Sequence, residues 1–162
     1  MASHYLDFPS TTRMKHVSKG IIYRRNEYLL QLRDNCPGIM YPDQWSFFGG
    51  EIEPGETSWQ ALQRELLEEL EWHPHEGHFL YEWINPEHPC CIYFFGIPFT
   101  GNMDQLILHE GQDLGWFELD EILEKNKIAP HVSLHLHRSK SEMSRRSLDQ
   151  SLGVDHTFEA GR

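Results

Sequence analysis

Three glutamates that lie close together, Glu65, Glu68 and Glu69, are the residues best placed by type and spacing to do chemistry. On a helix, residues three and four positions apart are neighbours, so these carboxylates would gather on one face. Like charges at these spacings disfavour the isolated helix, and a bound cation would relieve the repulsion. Carboxylate oxygens suit a hard divalent ion, either Mg²⁺ or Mn²⁺. The alternative interpretation is a solvated acidic surface.

The residues around these glutamates predict a glycine-bearing loop that leads into a helix. Gly49 and Gly50 lack a Cβ atom, so they let the backbone approach a ligand closely. Thr57 and Gln60 have the spacing of a capping box, and strong helix formers continue to Leu70. An apolar stripe of this helix is predicted to face the core: Trp59, Leu62, Leu66 and Leu70.

The spacing of this segment resembles the Nudix box, GX5EX7REUXEEXGU, in which U is an aliphatic residue. Gly50 is followed after five residues by Glu56, and after seven more by the run Arg64-Glu65-Leu66-x-Glu68-Glu69. Seven of the nine specified positions match. A chance match of this length is improbable, so the chain is similar to Nudix hydrolases over residues 49–72.

The resemblance departs from the family pattern at the end of the box. Glu71 occupies the position of the last glycine, and Trp72 occupies the last aliphatic position. A glycine there would adopt a positive φ just after the helix. We therefore expect the helix to end differently, by continuing to Trp72 or His73 before Pro74 stops it.

The resemblance implies a fold and a role for each matching residue. The fold is an α/β/α sandwich about a mixed β-sheet, and the order of predicted strands and helices favours the same α/β class. The implied metal ligands are the three glutamates and one backbone carbonyl: Gly49, Glu65, Glu68 and Glu69. Arg64 would organise the glutamates, Glu56 would pair with Arg64, and Gly50 would belong to the structural motif.

The expected activity, by resemblance, is Mg²⁺-dependent hydrolysis of a diphosphate linkage in a nucleoside diphosphate joined to another group. A nucleoside triphosphate and a nucleotide sugar are examples of such a substrate. A metal would bridge the phosphate oxygens and lower the pKa of an attacking water. The general base would be Glu65 or Glu110, because family members use either a motif glutamate or a carboxylate on a later loop. Glu110 could equally be a solvated loop acid.

Two other functions remain as alternatives. A Nudix-fold module could sense a nucleotide without cleaving it, but such modules usually lose motif carboxylates, whereas Arg64 and the three glutamates are all present. A prenyl diphosphate isomerase would share the fold and use a cysteine. Cys36, Cys90 and Cys91 match no local pattern of that enzyme, and they fit neither a disulfide set nor a metal site.

Two further residues are candidates for substrate binding. Arg33, at the end of a predicted strand, could contact a phosphate bidentately, although a surface salt bridge would explain it as well. Trp45 alternates with aromatic neighbours at positions 47 and 48. At least one of these three rings must be in the core, and any of them could stack on a nucleobase.

Composition excludes several classes of protein. The 162 residues fit a single domain, and 39% apolar with 12% aromatic residues suffices for a core. The net charge of −11 argues against nonspecific binding to nucleic acid or anionic membranes. No stretch approaches the roughly 18 apolar residues of a membrane span, and no signal peptide is evident. We therefore expect a cytoplasmic protein with a small nucleotide substrate; family precedent makes a homodimer common.

The chain divides into three predicted parts. Residues 1–15 form an irregular N-terminal segment, residues 16–138 the Nudix domain, and residues 139–162 a polar tail that is flexible or ordered only by another chain. Strands are predicted at 17–24, 28–32, 45–48, 79–84, 91–99, 106–108 and 115–117, and a second helix at 119–125. Residues 33–44 form a predicted loop at the rim of the substrate site. His131, His135 and His137 are weak evidence for zinc, because the apolar residues between them alternate as in a strand or a short amphipathic turn.

Overall fold

A computed structural model describes residues 13–153. In this part of the chain a mixed sheet lies between helices. The strands are β1 (Lys15–Arg24), β2 (Glu27–Leu32), β3 (Trp45–Ser46), β4 (Phe48–Glu51), β5 (His78–Ile84), β6 (Cys90–Pro98) and β7 (Asp113–Glu118). The helices are α1 (Ser58–Leu70), α2 (Leu119–Glu124) and α3 (Val132–Ser151), with a short 3₁₀ turn at Met103–Gln105.

Strand β1 organises the sheet. The strand order is β3-β2-β1-β6-β5, with β4 added to β1 and β7 added to β2. β1 runs parallel to β6, from the Lys15–Cys90 pair to the Tyr23–Pro98 pair. Along its other edge, residues 22–24 pair antiparallel with β2 and residues 17–20 pair antiparallel with β4. This shared edge brings the glycine pair of β4 to the middle of the sheet.

Each face of the sheet carries its own apolar core, which confirms the predicted α/β/α sandwich. The core against α1 consists of Ile22, Leu29, Phe48, Leu62, Leu66, Leu70, Phe95, Ile97 and Phe99. The core against α2 and α3 includes Ile21, Leu30, Trp45, Phe47, Leu80, Phe94, Ile122, Val132 and Leu136. Burial of these side chains removes apolar surface from water, which is the main force that holds the layers together.

Helix α1 begins as predicted but ends earlier. The Gln60 N–H donates to Thr57 Oγ1 over 3.1 Å and the Thr57 N–H donates to Gln60 Oε1 over 3.0 Å, so the capping box is present. The predicted continuation to Trp72 or His73 is wrong, because Glu71 adopts the left-handed conformation with φ +53°. A glutamate therefore closes the helix in the conformation that glycine usually supplies.

The segment 106–108, predicted as a strand, is a loop that caps α1. The Ile107 N–H donates to the Leu70 carbonyl over 3.1 Å, and the His109 N–H donates to the Glu69 carbonyl over 2.8 Å. The last carbonyls of a helix have no partner within the helix, so this loop satisfies them instead of joining a sheet. The prediction of a strand is wrong because it considered only the apolar run.

The prediction of a flexible tail from residue 139 is wrong for residues 139–151, which continue α3. A buried stripe at helical spacing holds α3 on the sheet: Val132, His135, Leu136 and Ser139. Further along, Met143 packs on the same core and Arg146 donates a hydrogen bond to the Phe79 carbonyl. The alternation of Val132, Leu134 and Leu136 suggested a strand, whereas their neighbours follow a period of 3.6.

The other predicted elements are confirmed with small shifts at their ends. The strand predicted at 45–48 is divided at Phe47 into β3 and β4, and that predicted at 115–117 is the middle of β7. Lys15, assigned to the irregular N-terminal segment, begins β1. Residues 1–12 of that segment and 154–162 of the predicted tail lie outside the described residues. Between residues 13 and 153 no helix has the length and apolarity to cross a membrane.

Candidate active site

The two motif glycines are required for different reasons. Gly49 has φ +134°, and a Cβ atom there would lie 2.0 Å from the Ser18 carbonyl oxygen. Gly50 has no such φ, but a Cβ atom there would lie 2.4 Å from the carboxyl carbon of Glu65. The first glycine lets β4 approach β1, and the second leaves room for the Glu65 carboxylate against the backbone.

Arg64 holds the motif carboxylates together. Its Nε and Nη2 donate to the two carboxyl oxygens of Glu56 over 2.5 and 3.0 Å, and its Nη1 donates to Glu65 over 2.9 Å. Nη2 also donates to the Glu51 carbonyl over 3.0 Å, and Nη1 lies 3.5 Å from Glu68. The hydrogen bonds that Glu56 accepts, of which those from Arg64 have the largest effect, lower the pKa of its carboxyl group. The predicted pairing of Arg64 with Glu56 is present.

The three glutamates of α1 occupy different environments. Glu69 is buried, Glu65 is largely buried and Glu68 is exposed. Burial raises the pKa of Glu65 despite the hydrogen bond from Arg64. Burial also raises the pKa of Glu69 well above its usual range; nearby Lys19 opposes the shift, whereas the charges of Glu65 and Glu110 add to it.

The oxygen donors are of the type that a hard cation prefers, but the carboxylates do not point toward one common position. Glu69 Oε2 is buried and has no hydrogen-bond partner, which is a position that a cation would satisfy. Within residues 13–153, however, no three His, Cys, Asp or Glu side chains converge as a metal site. Glu65 is turned toward Arg64 and Glu68 is exposed. Binding of a cation by all three would therefore require Glu65 and Glu68 to reorient.

A cavity of about 380 Å³ opens beside these carboxylates. Its charged lining residues are Lys15, Lys19, Arg33, Glu51, Glu65, Glu69 and Glu110. Its apolar and aromatic lining residues include Ile39, Met40, Phe47, Trp83, Ile92 and Phe94, and His131 and His135 also line it. A ligand that fits this cavity has a charged part and a planar or apolar part.

Glu110 reaches the cavity because the loop before it is tied to α1. The hydrogen bonds from the Ile107 and His109 N–H groups to the helix end fix the loop beside Glu69. Glu110 is exposed at the cavity and is one of the charges that raise the pKa of Glu69. The predicted association of a later loop with the glutamates of α1 is therefore present in the fold.

Two cations line the same cavity. Arg33, predicted as a substrate residue, lines it, and its Nε is buried without a hydrogen-bond partner. Lys19 on β1 was not predicted. Its Nζ donates to the carbonyls of Phe47 and Gly49 over 3.4 and 3.3 Å. Burial, followed by the charge of Arg33, lowers the pKa of Lys19.

Comparison with known families decides the identity of the domain. The family model described as the NUDIX domain matches residues 14–136, which is most of the chain. The chain belongs to the Nudix family.

Curated relatives match part of this chain. The nucleoside triphosphatase NudI of Enterobacter sp. (strain 638) is 41% identical over 58 residues, which are 36% of this chain and 40% of that protein. The RNA pyrophosphohydrolase of Coxiella burnetii (strain RSA 493 / Nine Mile phase I) is 39% identical over 41% of this chain and 37% of that protein. The chain thus spans about two fifths of the length of these curated relatives.

Solved structures match over a larger part of the chain. The E. coli ORF135 protein, known from its solution structure, has a TM-score of 0.64 and 28% identity, and the match covers 86% of this chain and 98% of that one. The NUDIX domain of Shewanella oneidensis NrtR, solved with ADP ribose, has a TM-score of 0.67 at 15% identity, covering 86% and 94%. The second likeness supports the fold alone.

Six of the ten predicted site residues line the cavity and four do not; the six are Gly49, Gly50, Glu65, Glu69, Arg33 and Glu110. Arg64 and Glu56 pair with each other instead. Glu68 does not line the cavity and lies on the exposed side of α1 near Arg64. Trp45 does not line it either: its ring packs edge-on against Phe117 at 4.9 Å, in the core. The structure therefore does not bring Trp45 to the cavity; Phe47, at the break between β3 and β4, lines it instead.

Sequence reasoning missed Lys19, although the sequence contained a signal for it. Val17, Lys19 and Ile21 alternate along β1 and therefore share one face of the strand. A lysine between two apolar residues on such a face is unusual, because lysine is rarely buried without a partner. This pattern marks a partly buried cation, and the pairing of Lys19 with Gly49 in the β1–β4 register places that cation beside the motif.

The three histidines of α3 and its N-cap do not form a metal centre. His135 is buried, and its Nδ1 lies 2.9 Å from the Tyr81 hydroxyl, while His137 is exposed. Burial is the main cause that lowers the pKa of His135 to about 3, so its ring is neutral. Among residues 13–153 no metal-holding group includes these histidines.

Proposed function

We propose that this protein is a divalent-metal-dependent pyrophosphohydrolase that cleaves the diphosphate of a nucleoside diphosphate linked to a second group. The observation that carries the proposal is the cavity itself. Glu65, Glu69 and Glu110 line it together with Lys19 and Arg33, charges that are linked by electrostatic interactions, and aromatic rings also line it. Carboxylates, cations and aromatic rings together suit a metal, phosphates and a nucleoside.

The proposed cation is Mg²⁺, with Mn²⁺ as its substitute, and Nudix hydrolases generally use divalent cations. Glu65, Glu68, Glu69 and the Gly49 carbonyl would hold it. When bound, such a cation neutralises diphosphate charge and acidifies a water molecule. The unpartnered Oε2 of Glu69 and the oxygen-only donor set support this assignment.

Arg64 positions the glutamates rather than touching the substrate. Its guanidinium group donates hydrogen bonds to Glu56, to the Glu51 carbonyl and to Glu65. Because Glu65 and Glu69 would be ligands of the cation, we assign the general base to Glu110, which is exposed at the cavity. Glu110 would accept a proton from the attacking water while the water oxygen bonds to phosphorus and the bridging P–O bond of the diphosphate breaks. The bridging oxygen would leave with the second product and take its proton from solvent.

Arg33 would bind a phosphate of the substrate. Its Nε lacks a partner, and a planar guanidinium can donate two parallel hydrogen bonds to a phosphate. The apolar part of the cavity would then hold the nucleoside, with Trp83 and Phe47 as its aromatic walls. This arrangement predicts that a substrate without a nucleoside binds more weakly.

The test is an assay of phosphate and pyrophosphate release from nucleoside triphosphates, oxidised nucleotides, nucleotide sugars and ADP-ribose with Mg²⁺. Glu68→Gln is compared with Glu53→Gln, because both glutamates are exposed and lie 3.5 and 3.9 Å from Arg64. Glu68→Gln should lower kcat/KM by about 100-fold, as loss of a metal ligand does, while Glu53→Gln should retain activity. Equal activity of wild type and Glu68→Gln would refute the metal assignment, and nucleotide binding without turnover would indicate a sensing module.

A further inference from the structure

Lys19 is a cation within the proposed metal site. It lies opposite Gly49 in the β1–β4 register, and its Nζ donates to the Gly49 carbonyl over 3.3 Å and the Phe47 carbonyl over 3.4 Å. The Gly49 carbonyl is the one main-chain oxygen assigned to the metal. A carbonyl lone pair that faces an ammonium group is less available to a second cation.

The surroundings of Lys19 explain why it occupies this position. Glu65 and Glu69 are close enough that each stabilises the charge of Lys19 electrostatically. The Lys19 ammonium group therefore offsets part of the negative charge of these neighbouring carboxylates. A divalent cation bound to the same carboxylates would make that compensation unnecessary and would repel the ammonium group.

The cavity offers Lys19 a second partner. Lys19 lines it together with Arg33, and the charge of Arg33 acts on Lys19. Two neighbouring cations without a ligand repel each other, whereas a phosphate group between them would attract both. The lysine has a flexible stem, so a rotation about its side-chain bonds would turn the ammonium group from the carbonyl toward the cavity.

We propose that Lys19 is an exchangeable counter-ion: it releases the Gly49 carbonyl when a divalent cation binds, and then contacts a substrate phosphate beside Arg33. The inference rests on the metal site of the proposed function. It predicts that metal and diphosphate bind cooperatively. Metal binding displaces Lys19 from the Gly49 carbonyl, so that Lys19 can contact a phosphate, and a bound phosphate keeps the Lys19 ammonium group away from the metal.

The test is calorimetric titration of the full chain with Mg²⁺, alone and in the presence of methylenediphosphonate, which is not hydrolysed. All titrations use one alkaline pH at which the carboxylates are ionised. Lys19→Met and Lys19→Gln remove the charge and keep a similar side-chain length, and thermal unfolding shows that each variant folds. Lys15→Met is the matched control, because Lys15 also lines the cavity but its ammonium group lies near the Glu51 carboxylate, at 3.9 Å, instead of the two carbonyls.

In the wild type, the diphosphonate should tighten Mg²⁺ binding by about tenfold. Both Lys19 variants should bind Mg²⁺ alone about tenfold more tightly than the wild type and lose most of the effect of the diphosphonate. Lys15→Met should behave as the wild type does. A Lys19 variant that binds Mg²⁺ more tightly but keeps the full cooperativity would overturn the exchange, since simple charge repulsion would explain it.

Failure of the inference can be distinguished from failure of the proposed function. A wild type that binds Mg²⁺ while Lys19→Met binds it no more tightly overturns the role of Lys19 alone. A wild type that takes up no Mg²⁺, with or without the diphosphonate, overturns the metal site and the exchange together.

Discussion

Replacement of each motif glycine by alanine should separate stability from activity. In Gly50→Ala, the new Cβ would lie 2.4 Å from Cδ and Oε1 of Glu65, where ordinary contacts begin at 3.4 Å. The Glu65 carboxylate must therefore retreat by about 1 Å, which a flexible side chain can do. In Gly49→Ala, the new Cβ would lie 2.0 Å from the Ser18 backbone oxygen at φ +134°, and the backbone of β1 cannot retreat in this way.

The magnitudes follow from these contacts. Gly50→Ala weakens a hydrogen bond between Glu65 and Arg64 that is partly exposed, which costs about 1 kcal/mol. The Tm should therefore fall by about 2–4 °C. Because a 1 Å displacement of a group at the reacting centre costs on the order of 100-fold in rate, kcat/KM should fall by about that factor. Gly49→Ala should cost at least about 3 kcal/mol, because the clash and the backbone strain add.

Thermal unfolding and the Mg²⁺-dependent assay on the preferred nucleotide measure both effects. Gly55→Ala is the control, because Gly55 has φ +85° and no atom within 4 Å of a new Cβ. It should lose stability through strain and retain activity once folded. The reasoning would be refuted if Gly50→Ala kept the wild-type kcat/KM, or if it unfolded as readily as Gly49→Ala.

Three further predictions concern other parts of the molecule. Glu71→Gly should raise the Tm by about 2 °C, because glycine adopts the left-handed conformation of Glu71 without strain; a lower Tm would contradict this account of the helix end. Arg33→Met should raise KM by about tenfold with a smaller change in kcat, as loss of a phosphate contact does, whereas Arg24→Met, which removes a pair with Glu27, should change neither. His135 has a pKa lowered to about 3 in the folded protein, so the unfolded chain alone binds a proton between about pH 6.5 and 3. Stability should therefore fall as the pH falls through this range, and His135→Phe should reduce that dependence in pH-resolved thermal unfolding; an unchanged slope would contradict it.

The sequence was most informative where local signals agreed with each other. The capping box at Thr57, the apolar stripe of α1 and the spacing of the Nudix box all predicted the same helix, and the structure contains it. The hairpin of β1 and β2 follows from its turn and its short strands in the same way. These features depend on neighbouring residues, so a single sequence is sufficient to predict them.

The failures share one cause, which is that a tertiary partner decided the outcome. Residues 106–108 have the composition of a strand, but their N–H groups were taken by the free carbonyls at the end of α1. Residues 139–151 have a polar composition, yet packing of their stripe on the sheet stabilises a helix that the composition did not predict. Trp45 was named as a substrate residue, but its ring packs against Phe117 of β7, and Phe47 lines the cavity instead.

The candidate site was predictable in its acids and in Arg33, but not in Lys19. Glu65, Glu69 and Glu110 were named from the motif and the later loop, and all three line the cavity. Lys19 lies thirty residues before Gly49 and outside the motif, so only the pairing of β1 with β4 reveals its contact with that glycine. Long-range sheet register of this kind is difficult to derive from one sequence.

The central claim is that the glutamates of α1 and the Gly49 carbonyl hold a divalent cation against the phosphates of a nucleotide. Anomalous diffraction from crystals grown with Mn²⁺ and a non-hydrolysable nucleotide tests it most directly. The account predicts an anomalous peak bound by Glu65, Glu68, Glu69 and the Gly49 carbonyl, with the Lys19 ammonium group turned to a phosphate. A peak elsewhere in the molecule, or a nucleotide bound in the cavity with no metal at these four residues, would contradict it.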